Sequence, residues 1–384
     1  MAMGAMSDSQ MSDALEAMSE SISSLLESWE LLRERAKTKI SEYRQQTFDD
    51  KFSCVLECFI DHLPEHGSKV VCEYIIENED QIQRLGDHLL NALLIRTQGA
   101  SGKTPSVTPS PFETPDEVAQ NMEVSVPRQQ SIIKKRCLKR DWYRCMISGQ
   151  LDSTSRAKFP DMSDDDWYDL AGPTNATHIF PYRLGKYDDS DDEKEIAYIW
   201  TSLYALFPSL KQVIGQDSIN EERNVMTTAE DFNRQIGTFR LALEATDEIN
   251  VYKLVEYGLF KKVRNQLPEP NEQGERVVRF TKPSDVKWEL PSPEILAVHA
   301  ALARVLHASG MAEIVEKCLT CWGNICYFLC MVEIDGTELE ADVVVLATGY
   351  DNTRTTVRKA LGDGVADKLK DIWDLDEEGE LNAM

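Results

Sequence analysis

Between residues 11 and 47 the apolar side chains fall at Leu15, Met18, Ile22, Leu25, Trp29, Leu32 and Ala36, alternately three and four apart. That spacing lines them along one stripe of a helix, the a/d seam of a heptad repeat. A seam of about three heptads leaves two arrangements open. One is a coiled-coil homodimer over residues 11–40; the other is a helix packed on its own domain, which the shortness of the seam favours. FSCVLECFIDHL and DQIQRLGDHLLNALLIRT continue the helical pattern, so residues 1–96 read as a helical N-terminal region. His62, His66 and His88 have no ligand-like partners nearby in sequence and are expected to be structural.

The pattern then lapses. Residues 97–127 carry prolines at 105, 109, 111 and 115 among Ser, Thr and Gly, and read as a disordered linker that buries too little surface to offset its ordering entropy. A domain boundary is expected there. Beyond it come a basic helix, a hairpin arm DWYRCMISGQLD, an acidic loop DMSDDDWYDLAG and the strand-like TNATHIF. A second acidic block, YDDSDDEKE, leads into a helix with Ile196, Ile199, Trp200, Leu203 and Phe207 on one face. A short strand, a short helix and a strand follow in NVMTTAEDFNRQIGTFRLALEA, then strands in VYKLVEYG and RVVRFTK, then one long helix from Pro293 to about Trp322. Strands segregated among helices place residues 128–322 in the α+β class.

Charge narrows the partners. The formal net charge is -25, so the chain as a whole repels nucleic acid. RQQSIIKKRCLKRDWYR, residues 128–144, is the one concentrated exception, with seven basic residues and one acid. No apolar run approaches the roughly 20 residues that span a bilayer. The start MAMGAMSDSQMSDALE lacks the basic and apolar blocks of a secretory signal, and nine cysteines form no paired framework. The expectation is an intracellular protein, in cytoplasm or nucleus and not secreted, with free thiols and no membrane association. The acidic blocks lack the spacing of a calcium loop and read as solvated.

Metal-assisted phosphodiester hydrolysis needs a base, a cation and a rigid support for the base, which a hairpin followed by a helix can supply. Arg140, Asp141, Arg144, Cys145, Ser148 and Gly149 form Arg-Asp-x-x-Arg-Cys-x-x-Ser-Gly, and His178, Ile179 and Pro181 follow in Ala-x-His-Ile-x-Pro. In order and spacing this resembles the HNH endonuclease family, in its larger fungal-type form, over residues 128–322. The resemblance implies a ββα-metal unit with His178 as general base and Asn224 pinning the loop that carries it. Its helix would place a metal ligand at Asn233, where the family usually has His, with Phe239 keeping the downstream register. Thr177 stands where many members have Asp or His. A neutral amide at that position suits Mg²⁺ or Mn²⁺, with Asp231 a nearby carboxylate. Cys145, lacking a partner two residues away, is expected to pack and not to ligate zinc.

ADVVVLATGY in the tail resembles a late strand of flavin-containing monooxygenases, over about residues 331–384. No glycine-rich strand-to-helix turn accompanies it, and GDGVAD at Gly362 lacks the third glycine, so neither FAD nor NADPH is expected. Residues 323–384 read as an appended fragment, by fusion or by a gene-model join. Cys318, Cys321, Cys326 and Cys330 read as free thiols, and Asp376, Glu377 and Glu378 as a solvated end.

Three functions follow, in order. The first is a metal-dependent endonuclease with an His178–Asn224–Asn233 site, meeting nucleic acid, DNA ahead of RNA, through residues 128–144. The second is a catalytically degenerate HNH-fold interaction protein; an FAD/NADPH-dependent oxidoreductase, resting on ATGY alone, comes third.

Overall fold

The computed structural model describes residues 28–43, 51–98, 107–112, 129–185 and 190–321. The chain divides into two compact units, Met1–Leu319 and Thr320–Met384, and the tail read as flavoprotein-like lies outside the described residues. Among the described residues no helix is long and apolar enough to cross a membrane.

Helix α1, residues 28–42, carries the end of the heptad seam. Ala36 and Ile40 are fully buried, with Trp29 and Leu32 packed beside them, so this part of the seam faces the protein's own core. Arg33 and Lys37 on its flank both bind Asp61, at 2.6 Å. Residues 11–27 of the seam lie outside the described residues.

Helices α2 (Phe52–His62), α3 (Glu65–Glu77) and α4 (Ile82–Leu89) follow, the last running into a wider turn over Leu90–Ile95. In α3, Gly67 allows close approach to a later helix: a Cβ there would stand 2.5 Å from the carbonyl oxygen of Leu206. His88 is buried, with Nδ1 2.9 Å from the Thr108 carbonyl and Nε2 2.7 Å from the Ser202 hydroxyl. Residues 107–112 of the expected linker are therefore docked, with Val107 buried and Phe112 edge-on to Tyr74 at 5.8 Å.

Helix α5 (Gln129–Arg140) leads into the expected hairpin arm, closed by Cys145 N–H donating to Gln150 O and Asp152 N–H to Tyr143 O. Two-residue strands β1 (Leu151–Asp152) and β2 (Ala171–Gly172) pair in parallel. Between them the expected acidic loop is in part a helix, α6 (Asp164–Leu170). The Ser163 hydroxyl accepts from Asp166 N–H, three aspartates sit at the positive end of the helix, and Trp167 buries on Phe159. Acidity here caps a helix, which charge counting alone misreads as a loop.

Strand β3 (Thr174–His178) pairs antiparallel with β4 (Val225–Ala229), His178 opposite Val225 and Thr177 opposite Met226. Helix α7 (Ser190–Leu206) lies between them in sequence, with Ile196, Ile199, Trp200 and Leu203 all buried as its periodicity predicts. After β4 the chain enters α8 (Glu230–Gly237), then the antiparallel sheet β5 (Leu241–Ala245), β6 (Val251–Glu256) and β7 (Val277–Arg279). The last described helices are α9 (Pro293–Ala308) and α10 (Ala312–Cys321). The single long helix expected here breaks at Gly310, whose φ of +69° is the left-handed conformation that ends helices.

The result is a mixed α+β unit. Its helical N-terminal region, expected to stand separately, shares one continuous core with α7, α9 and the three-stranded sheet. Helix α9 runs through the middle, packed on β5 and α2.

Candidate functional site

The paired strands β3 and β4 have helices on both faces. Val225 packs with Ile133 and Cys137 of α5, and α8 contacts both strands. Side chains alternate along a strand, so Val225 and its partner His178 belong to the α5 side, and Thr177 and Thr228 to the α8 side.

The chain is fastened to β4 by the buried pair Arg140–Asp141. The Arg140 guanidinium donates to both Asp141 oxygens, at 2.6 and 3.0 Å, and to the carbonyls of Glu222, Val225 and Glu289. Asp141 Oδ2 also accepts from Thr227 N–H at 2.8 Å. Burial would lower the guanidinium pKa, but the adjacent carboxylate outweighs it and the net shift is upward. The pair fixes the chain on both sides of Asn224.

Asn224 is completely buried. Its Nδ2 donates to the carbonyls of Phe180 at 2.9 Å and Ile219 at 2.8 Å, and its Oδ1 accepts from Phe180 N–H at 2.9 Å. Its own carbonyl accepts from Ile179 N–H at 2.8 Å. The two residues after His178 are thus held by backbone hydrogen bonds from this one asparagine.

His178 sits at the end of β3, half-buried, beside the Tyr182 ring at 5.7 Å. Its Nε2 lies 3.0 Å from Asn220 Oδ1. An amide oxygen can only accept, so this contact places the proton on Nε2 and leaves the lone pair on Nδ1. Burial lowers the pKa below the usual histidine value and the Asn220 bond offsets this in part, so the ring is neutral at pH 7. Asn220 was not singled out in the sequence; an amide four residues before another asparagine carries no signal until the loop is folded. Close by in the chain, Asn220 Nδ2 and both amide atoms of Gln216 are buried without partners, as polar groups that hold water often are.

Asn233 projects from α8 toward the other face of β3. Its Oδ1 accepts from the Thr177 hydroxyl at 2.9 Å, and Thr177 is 2.6 Å from the Thr228 hydroxyl. Asp231 accepts from Gln266 Nε2 at 2.9 Å. Phe239 is buried against His299, with ring centroids 4.7 Å apart. The structure brings His178 and Asn224 together around one loop, while Asn233 bonds the residue preceding His178. Among the described residues no three His, Cys, Asp or Glu side chains gather where a metal ion could be held.

The basic segment is less open than its composition suggests. Lys134 donates to the Thr174 carbonyl, Arg136 pairs with Glu222, Lys139 with Asp285, and Arg140 is buried. Arg144 is exposed, over the Phe159 ring at 5.8 Å. Cys145 is buried, its sulfur accepting from the N–H groups of Ile147 and Ser148. No family model matches the chain, and no curated protein or solved structure matches it.

Proposed function

We propose that β3, β4 and α8 form an HNH-type ββα module and that the protein hydrolyses nucleic-acid phosphodiesters with His178 as general base. The observation that carries this reading is the asparagine-pinned loop: Asn224 holds Ile179 and Phe180 through their backbone while Asn220 orients a neutral imidazole beside them. A base must be rigid and unprotonated to take a proton from water, and both conditions are met at His178. Nδ1 receives that proton as the water oxygen attacks phosphorus, the P–O bond to the leaving strand breaks, and the leaving oxygen takes a proton from solvent. Asn233 offers one neutral oxygen on the Thr177 face of β3, across the strand from His178, so a Mg²⁺ or Mn²⁺ ion at the attacked phosphate would be held largely by the substrate's own phosphate oxygens. Such an ion would neutralise charge at the phosphate.

A second reading is favoured by the Thr177–Asn233 hydrogen bond, which occupies one acceptor site of that amide. On this reading the module is a scaffold that binds without cleaving. Supercoiled plasmid incubated with Mg²⁺ or Mn²⁺ separates the two. Nicking by the wild-type protein, with His178→Ala losing about 100-fold or more, is the expected result. Equal nicking by both proteins, or none by either, rejects His178 as the base.

A further inference from the structure

At the end of α5 the chain presents two aromatic residues in an unfavourable conformation. Trp142 and Tyr143 have φ of 58° and 56°, the left-handed region. The local cause is helix termination: Tyr143 N–H donates to Leu138 O at 2.7 Å, closing the turn that normally recruits glycine just past a helix end. Trp142 stands where glycine would be unstrained, and it is 49% exposed. Helix termination accounts for the backbone, but core packing does not account for a half-exposed tryptophan at a position that glycine would hold without strain.

What surrounds it gives the reason. Trp142 borders a cleft of about 550 Å³ between the 144–149 turn and edge strand β7, lined also by Arg144, Gly149, Phe159 and Arg279. That volume is in the range of small-ligand sites. A Cβ on Gly149 would meet nothing within 4 Å, so the cleft is open at that side. Within the cleft Arg144 lies over Phe159, and outside its lining Lys158 lies over Tyr143; among the described residues neither cation has a carboxylate partner. Arg279 pairs with Glu248 only at the exposed surface, where a phosphate can compete. In a chain of net charge -25, unpaired cations stacked on aromatic rings beside an exposed indole form an uncommon patch.

The geometry points to a binding site for an unpaired nucleotide of a single strand, with its base stacked on Trp142 and its phosphate met by Arg144. Aromatic faces flanked by cations accept any base through its π-face and the backbone through its charge. A duplex hides its base faces, so the cleft selects single strands or bases turned out of a helix. The inference rests on the nuclease reading for the choice of nucleic acid as the polymer; the cleft is lined by none of His178, Asn224 or Asn233 and is a separate contact for the strand.

The test is fluorescence anisotropy in EDTA, so that no cleavage occurs, with a labelled oligothymidine of about 12 nucleotides and a duplex of equal length. The single strand is expected to bind more tightly than the duplex. Trp142→Ala is expected to weaken single-strand binding roughly 5- to 100-fold. Arg144→Ala is expected to reduce the slope of log affinity against log salt by about 0.7. Trp142→Gly separates binding from folding: it removes the strained conformation, so its melting temperature rises while its affinity falls. Full affinity in Trp142→Gly, absence of single-strand binding by the wild type, equal affinity for duplex, or poly-glutamate binding with the same Trp142 dependence would each overturn the assignment. Intact binding without plasmid nicking removes the nuclease and leaves the cleft; nicking without single-strand binding does the reverse.

Discussion

At the scale of single residues, the histidines divide by environment. His178 is half-buried and tethered through one nitrogen, whereas His88 and His299 are sealed inside. Burial pushes both His88 and His299 down to about 4. Their folded-state pKa values are below the unfolded value, so the unfolded chain binds more protons. Stability is complete above about pH 6.5 and is lost as pH falls toward 4, by roughly 3 kcal/mol per histidine at the lower end. Melting temperatures of wild type and His88→Gln across that window check this: the variant should show a shallower decline, and an identical decline rules His88 out. The sequence correctly gave His88 a structural role, because no ligand-like residues attend it. That its partners would be Thr108 and Ser202, 20 and 114 residues away, is information only the fold holds.

At the scale of elements, periodicity was a good guide wherever one face meets one core. The face Ile196, Ile199, Trp200 and Leu203 is buried as read, and β4, α8 and β5 follow in the order that NVMTTAEDFNRQIGTFRLALEA suggested. Errors came where a local rule overrode the pattern. Gly310 stops a helix whose apolar spacing continues past it, and Ser163 starts one inside a run of aspartates. Close approach between elements left even less trace. Gly67 reads as a poor helix former, yet it is where α3 meets the backbone of α7. Gly67→Ala should destabilise the protein by about 1–3 kcal/mol in urea unfolding, because the obstructing atom is a carbonyl oxygen and cannot swing aside. A neutral or stabilising result, the usual effect of Gly→Ala within a helix, would show that the two helices separate freely.

At the scale of the whole molecule, the sequence suggested parts in series and the structure presents a shared interior. Composition cannot report which apolar faces meet, so α2 looked like a member of a different region from α9 and β5. For the candidate site, residue types and order were legible at His178 and Asn224, but the separation of Asn233 onto the Thr177 side of β3 was not. The fragment 129–384 expressed alone should therefore lack a cooperative urea transition and bind a hydrophobic dye, since α7 and α9 would lose the helices that cover them. A sharp two-state transition in that fragment would establish independent folding.

The docking of residues 107–112 under His88 anchors the chain as far as 112, and α5 anchors it again from 129. Severing the chain between those two points should matter little to cohesion, because both sides are held by the common core. Residues 1–112 and 129–384, made as two chains, would find each other through the common core and behave as a split protein, whose reassembly becomes concentration-dependent.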